Sequence, residues 1–534
     1  MEAGSGGRGS GAEPGREEAA RRRRAAVEYE HVGADYLEER RLSKHAGVWL
    51  IMFLGIGYVI SGEYFSWNFG FAGGWGGFLI AAVLMATMYV CIAYSVSEMA
   101  TSLPHTGGAY AFARRALGPW GGFATGLGAT ICYMLATATI SVAIAAYILG
   151  PADLGEELGK IGPIEPVEWI SFLFFVLFGF LNVRGVQLVF GLTAAVTAIA
   201  IAWLVVWAIG VIPDWDTSHF SNIAPADEGN SSRFIPQGIS GIWAAFPFAI
   251  WFYLAIEATP FATEEARVPR RDLPRGTMLA MGALILLSML VFFVGAGTGG
   301  ARLLSGAAAP IPEVVDKVQG QNWFFWATTV VGLTGLIASF YSIIFAYSRQ
   351  IFALSRAGYV PRLLSRTGRW HTPYLAIILP AIIAWATVIL YSRIGTDAEA
   401  IANITQISVF GGLIYYVLIM VSFLVLRSRE PDLERPYRSP VGVPGAAVAG
   451  ILAAIALGAG FQYPFGGSTT KWTIAATIGV ILLGLLYFAL YSRHRLVAEA
   501  PEEEFAVIEA GERELDVPEH VSEAPAKGPA AGRE

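Results

Sequence analysis

The sequence predicts an all-α polytopic membrane protein, and three observations carry that reading. Of its 534 residues, 55% are apolar and only 15% are charged. The apolar residues come in unbroken blocks of roughly 20, the length a helix needs to cross a hydrocarbon core, rather than at amphipathic spacing. Lys and Arg gather in alternate connections between those blocks, which is the pattern that orients a membrane chain.

About twelve blocks are present. Their approximate limits are 46 to 71, 77 to 103, 120 to 149, 166 to 183, 188 to 212, 239 to 262, 277 to 299, 322 to 348, 374 to 392, 402 to 426, 443 to 463 and 472 to 491. With the N-terminus inside, the inner connections carry Arg114, Arg115, Arg184, the arginines from 267 to 275, from 349 to 369 and from 427 to 438, and Arg493 with Arg495. The outer connections hold only Lys160, Arg233, Arg302, Lys317, Arg393 and Lys471, six of the 36 Lys and Arg residues. Both termini are therefore expected in the cytoplasm of a cell whose plasma membrane, the inner membrane of a bacterium, holds the chain as a multi-pass protein. The net charge of −6 adds nothing to this.

The remaining features narrow the class. Cys91 and Cys132 both fall inside expected spans, where packing is their role rather than a disulfide or a metal cage. The N-terminus lacks the short charged region and apolar core of a secretory signal, so the first span serves as its own insertion signal. Residues 1–40 and 496–534 are expected to be disordered cytoplasmic tails around a transmembrane domain at 41–495, because their Gly, Ala, Glu, Arg and Pro composition supports no packed core. Acidic neighbours dilute the run Arg21 to Arg24, which reads as a solvated tail.

Two spans are expected to be broken. The first contains Gly55, Gly57, Ser61 and Gly62 followed by Glu63; the sixth contains Pro247 in mid-span followed by Glu257. Glycines that let helices approach, or an ordinary proline kink, explain either break alone. Breaks at corresponding places five spans apart, each followed by an intramembrane carboxylate, point instead to an inverted repeat of five plus five spans with a ligand at the midplane.

Four inner connections carry a resemblance. The stretches PHTGGAYAFARRALGPWGGFATG, EEARVPRRDLPRG, SRQIFALSRAGYVP and LRSREPDLERPYRSP, in that order along residues 45–495, resemble those of the amino acid–polyamine–organocation transporters. The resemblance implies a secondary transporter with broken helices 1 and 6 and no catalytic chemistry. It also implies that the first break reads Gly-x-Gly and binds an amino acid's carboxylate through free N–H groups. Aligned on Gly55, Ile56, Gly57, Ile60 and Phe65, this chain has Ser61, Gly62 and Glu63 there. A helix-end site favours anions, and a fixed carboxylate reverses that preference. Two like charges about 4 Å apart at an effective dielectric of about 20 repel by about 4 kcal/mol, on the order of a thousandfold against a substrate carboxylate. VISGEYFSWN and AAFPFAIWFYLAIE further resemble the bacterial ethanolamine permeases of that family.

On this reading the substrate is ethanolamine or a similar small amine. The expected contacts are Ile60, Ser61, Gly62, Glu63, Phe65, Pro247, Phe248, Trp251 and Phe252, with Tyr64, Trp67 and Tyr253 completing an aromatic surround that attracts cations. Trp251, six residues before Glu257, stands where related antiporters place a gating aromatic. Glu98 and Glu257 are the coupling or gating acids: Glu98 reads as an inner-end structural partner for arginines, and Glu257 equally as that or as a proton carrier. The fifth span has no lysine, so the coupling ion, H+ or Na+, stays open; Ser339 and Ser342, with Thr334, are hydroxyls available to sodium or to interhelical bonding. Glu264 and Glu265 beside Arg267, Arg270 and Arg271 read as a solvated ion cluster, and His105 and His371 as structural.

The alternative is a general amino acid permease or exchanger in which Glu63 faces away. A channel should show rings of polar residues, a sensor a folded signalling domain and an enzyme a metal or nucleophile motif; the sequence offers none of these. The expected partners are a small-molecule amine, the coupling ion and the lipid bilayer, without cofactor, metal or nucleic acid.

Overall fold

The structure, a computed structural model, describes residues 29–30, 46–103, 107–150, 159–184, 186–226, 230–262, 266–462 and 468–497. His105, Glu264, Glu265 and most of both tails lie outside the described residues. The chain is an all-α polytopic membrane protein, and every expected apolar block is helical. Among the described residues, eleven helical segments are long and apolar enough to cross a bilayer, and the shorter Val48–Val59 begins the first span.

In chain order the helices are α1 (Val48–Val59), α2 (Ser61–Tyr64), α3 (Trp75–Ser102), α4 (Ala109–Leu149), α5 (Pro166–Arg184), α6 (Val186–Val211), α7 (Gly238–Trp251), α8 (Pro269–Thr298), α9 (Ala301–Leu304), α10 (Pro310–Gln319), α11 (Trp323–Arg356), α12 (Tyr374–Ser392), α13 (Asp397–Arg429), α14 (Gly442–Gln462) and α15 (Ser468–Leu490). Local chemistry sets the ends. Thr396 and Glu399 form a reciprocal capping box at the start of α13, whose last turn carries Arg427 and Arg429 against the helix dipole. Helix α4 starts eleven residues before the expected limit of 120, because the chain continues as helix through a kink at Gly118, where φ is 79°, and Pro119.

Helices α1, α3, α7 and α8 pack on one another as one group; α4 packs along α13, α11, α5 and α12 as a second. Small residues bring the backbones close in both. A Cβ at Gly128 of α4 would lie 2.9 Å from the Gly411 carbonyl of α13, and one at Gly73 would collide with the Gly241 carbonyl. Leu, Ile and Val of α12 and α15 project outward, among them Leu390, Leu483 and Leu490, as a lipid-facing surface requires.

Both expected breaks are present. Helix α1 stops at Val59, a single turn α2 follows, Phe65 is extended, Ser66 has a positive φ of 70°, and the chain resumes as a 3-10 helix from Trp67 to Gly73. After α7, residues 252 to 255 turn without helix, Ala255 has φ of 82°, and a 3-10 helix runs from Ile256 to Ala262. Each break therefore holds one non-glycine residue in a conformation that L-residues avoid.

Two short strands lie inside segments expected to be without structure. β1 (Tyr29–Glu30) pairs in parallel with β2 (Leu496–Val497). The physical reason is local burial: Leu496 and Val497 are fully buried against Tyr110, Leu354 and Tyr359, and Val497 N–H donates to the Ala357 carbonyl at 3.1 Å. A composition-based boundary at 495 misses two apolar residues with a receiving groove.

Candidate functional site

The first break is held open by a side chain from α11. Ser61 N–H, which a continuous helix would bond to a carbonyl one turn back, donates to Ser339 Oγ at 2.8 Å. Gly62 lies against the Trp251 carbonyl so closely that any Cβ would collide, which brings the two breaks together. Glu63 follows, fully buried, and among the described residues neither of its carboxylate oxygens has a hydrogen-bond partner. Removing a carboxylate from water without a partner costs several kcal/mol, which makes Glu63 the costliest polar group of the first break.

Aromatic rings wall the same region. Phe65 meets Trp251 edge to face at 5.6 Å, and Trp67 stacks on Phe252 at 5.4 Å while donating its Nε1–H to the Glu63 carbonyl at 3.2 Å. Pro247 and Phe248 sit about one turn before Trp251 in α7, with Phe248 against Phe69 at 5.7 Å. Ile60 is buried at the junction of α1 and α2. Tyr64 turns away from this group: its hydroxyl donates to the Ala200 carbonyl of α6 at 2.7 Å.

Glu257, at the second break, forms a separate centre. Its Oε1 accepts from Tyr133 of α4 at 2.8 Å and from Tyr416 of α13 at 2.9 Å, and Tyr89 of α3 donates to the Tyr416 hydroxyl at 2.9 Å. Two phenols of the second helix group thus grip a carboxylate carried by the first. Its Oε2 is buried without a partner among the described residues. Tyrosines inside apolar spans read as packing, so sequence reasoning missed Tyr89, Tyr133 and Tyr416. The available signal was the phenol itself, which needs a partner wherever it is buried.

Glu98 lies apart from both centres, near the C-terminal end of α3. It accepts from Arg427 Nη2 and Ser439 N–H, both at 2.7 Å, and pairs with Arg435 Nε at 3.2 Å. Ser342 stands one turn beyond Ser339. Its proton goes to the Ala338 carbonyl at 2.7 Å, and Thr193 of α6 meets its Oγ at 3.1 Å.

At the end of the first span away from Val48, the chain is covered. Asn68 donates to the carbonyls of Leu304 and Ala307 at 2.6 and 2.8 Å, Tyr147 of α4 donates to the Tyr64 carbonyl at 2.7 Å, and Ser66 pairs with Thr405 of α13 at 2.9 Å. Beside this cover a cavity of about 770 Å³ is lined by Glu165, Glu313, Asp316 and Asp397 among others. Burial pushes the Glu313 carboxyl above the usual carboxylate range.

The family described as amino acid permease matches residues 47–486. Among curated proteins, the chain is 28% identical to an uncharacterized transporter of Rhizobium meliloti over 76% of its own length and 83% of the relative's. It is 26% identical to a branched-chain amino acid permease of Bacillus subtilis over 85% and 94% of the two chains. With a methylthioribose transporter of the same organism it shares 23% identity over 86% and 96%.

Proposed function

The chain belongs to the amino acid permease family, and from that premise we propose that it imports ethanolamine or a similar small amine by alternating access. As a member of that family it is a transporter and not an enzyme. The observation that carries the amine reading is Glu63, buried in the first break with both oxygens unpartnered among the described residues, next to Gly62, which meets the second break at the Trp251 carbonyl. A carboxylate at the junction of the two breaks suits an ammonium ion and opposes a second carboxylate. The carboxylates lining the cavity on the opposite face act in the same direction, raising the local concentration of cations.

Movement in this reading is between the two helix groups, each of which draws spans from both halves of the five-plus-five repeat. Contacts that cross between them mark the gates: Tyr147 and Thr405 on the first span at one face, Glu98 with Arg427 and Arg435 at the other, and Glu257 with its phenols between. Glu257, able to take a proton on Oε2, is the coupling group; Ser339 holds the break, and Ser342 is engaged with Thr193. The arginine-rich connections put the terminal face in the cytoplasm.

A second reading, a permease for zwitterionic amino acids, is favoured by the similarity to a branched-chain amino acid permease along 85% of this chain. Competition in proteoliposomes separates the two. Unlabelled ethanolamine should displace labelled ethanolamine at least a hundredfold more effectively than valine or alanine does, whereas comparable displacement by either amino acid overturns the amine reading.

A further inference from the structure

We propose that Tyr64 is a positioning residue: it sets where the Glu63 carboxyl group stands by anchoring the single turn α2 to α4, α6 and α11. The inference rests on Glu63 as the partner of the amine and deepens that reading.

What fixes Glu63 is its backbone. Neither of its carboxylate oxygens has a hydrogen-bond partner among the described residues, so no side-chain bond holds the group in place. Glu63 N–H donates to the Ile60 carbonyl at 3.1 Å, and the Glu63 carbonyl accepts from Trp67 Nε1 at 3.2 Å. Both bonds stay within the first span, and a helix of four residues has too few of them to hold its own place. Ties to other helices must do so.

Tyr64 makes two of those ties and fills a slot besides. Its hydroxyl donates to the Ala200 carbonyl of α6 at 2.7 Å, and its own carbonyl accepts from the Tyr147 hydroxyl of α4 at 2.7 Å. Its ring lies where α11 carries two glycines one turn apart. A Cβ at Gly335 would stand 2.6 Å from Tyr64 Cε2, and one at Gly332 would stand 3.3 Å from its Cδ1. Fully buried, bonded at both polar ends and seated on bare backbone, Tyr64 has one place to be. The bond from Ser61 N–H to Ser339 Oγ also runs to α11. The turn is thus referenced to the second helix group through α4 and α11, while Gly62 meets the Trp251 carbonyl of the first. A displaced Tyr64 ring would tilt α2 and carry the carboxyl group of Glu63 with it, and a binding group must stay within about 0.5 Å of its place to keep its function.

The test is equilibrium binding of ethanolamine to purified protein, for the unaltered chain, Tyr64→Phe, Gly335→Ala and Glu63→Gln, and for each of the first two combined with Glu63→Gln. Tyr64→Phe removes one hydrogen bond and should weaken ethanolamine about fivefold. Gly335→Ala, which drives a methyl group into the ring, should weaken it at least as much; should that variant fail to fold, Tyr64→Phe, which keeps the ring in its slot, decides alone. A residue that acts through Glu63 has nothing to act on once that carboxylate is gone, so both effects should shrink to less than about twofold in the Glu63→Gln background. Unchanged affinity in Tyr64→Phe, or effects that persist in full beside Glu63→Gln, overturns the role of Tyr64. Glu63→Gln alone separates this from failure of the reading beneath it. If that variant holds ethanolamine as tightly as the unaltered chain, the amine reading fails and this inference with it, whereas loss there with additive effects of the other two variants removes only Tyr64.

Discussion

Glu63 is a carboxyl group set where a helix has been interrupted, and on the proposed amine reading its consequences are those of charge rather than of size. Glu63→Gln keeps the shape and removes the negative charge, so ethanolamine binding should weaken by about 1.5 to 3 kcal/mol through the loss of a charge-assisted hydrogen bond. Calorimetric titration across pH 6 to 8 reads this directly, and undiminished affinity would remove the carboxylate from the site. Glu63→Gly goes further by clearing the carboxylate from the break, and valine should then bind where it did not before. At this scale the sequence was informative wherever a residue was out of place. A glutamate in an apolar block is conspicuous, while Ser61 and Phe65 came from the family's first-break pattern and Trp251 from its place six residues before Glu257; the structure puts all of them at the two breaks. The partners of Tyr253 and Glu257 were not legible, because Ser288 lies on α8 and Tyr416 on α13, outside any local pattern.

Among the elements, the broken helices are the ones whose local geometry conflicts with their residues. Ala255 has a φ of 82°, a conformation costing an L-residue about 1 kcal/mol or more, held by the surrounding packing and by the Ala258 N–H, which donates to its carbonyl at 3.0 Å. Ala255→Gly should raise unfolding stability in detergent by about 0.5 to 1.5 kcal/mol, while Ala255→Val, β-branched in a left-handed conformation, should lower it. Equal melting temperatures for all three proteins would show that the turn relaxes freely. Span limits were readable from hydropathy because lipid demands long apolar helices with every backbone group satisfied internally. The kink at Gly118 and the single turn α2 were not, since a glycine beside a proline is as compatible with a helix end as with a bent continuation.

For the whole molecule, the segment after α15 links parts of the chain that hydropathy treats as unrelated. Ser492 donates to the Tyr359 carbonyl at 2.7 Å, Val497 N–H reaches Ala357, and Leu496 and Val497 bury their side chains with Tyr110 and Leu354, closing a small apolar cluster separate from the main core. β1 adds its two residues to the free edge of β2, so the N-terminal side of the chain meets the C-terminal side at the end of α11. Burying a leucine and a valine contributes about 3 to 6 kcal/mol before entropy is counted, and the hydrogen bonds add to it. Two truncations separate this from the influence of a charged tail. Ending the chain after Val497 leaves every one of these contacts in place and should not change the melting temperature in detergent by more than a degree or two. Ending it after Tyr491 removes the serine, the strand and both buried side chains, and should lower the melting temperature by several degrees while exposing the connection between α11 and α12 to protease at Gly358, where Arg495 now packs. If the two truncations melt alike, the segment from 492 to 497 holds nothing together, and α15 alone fixes that end of the molecule.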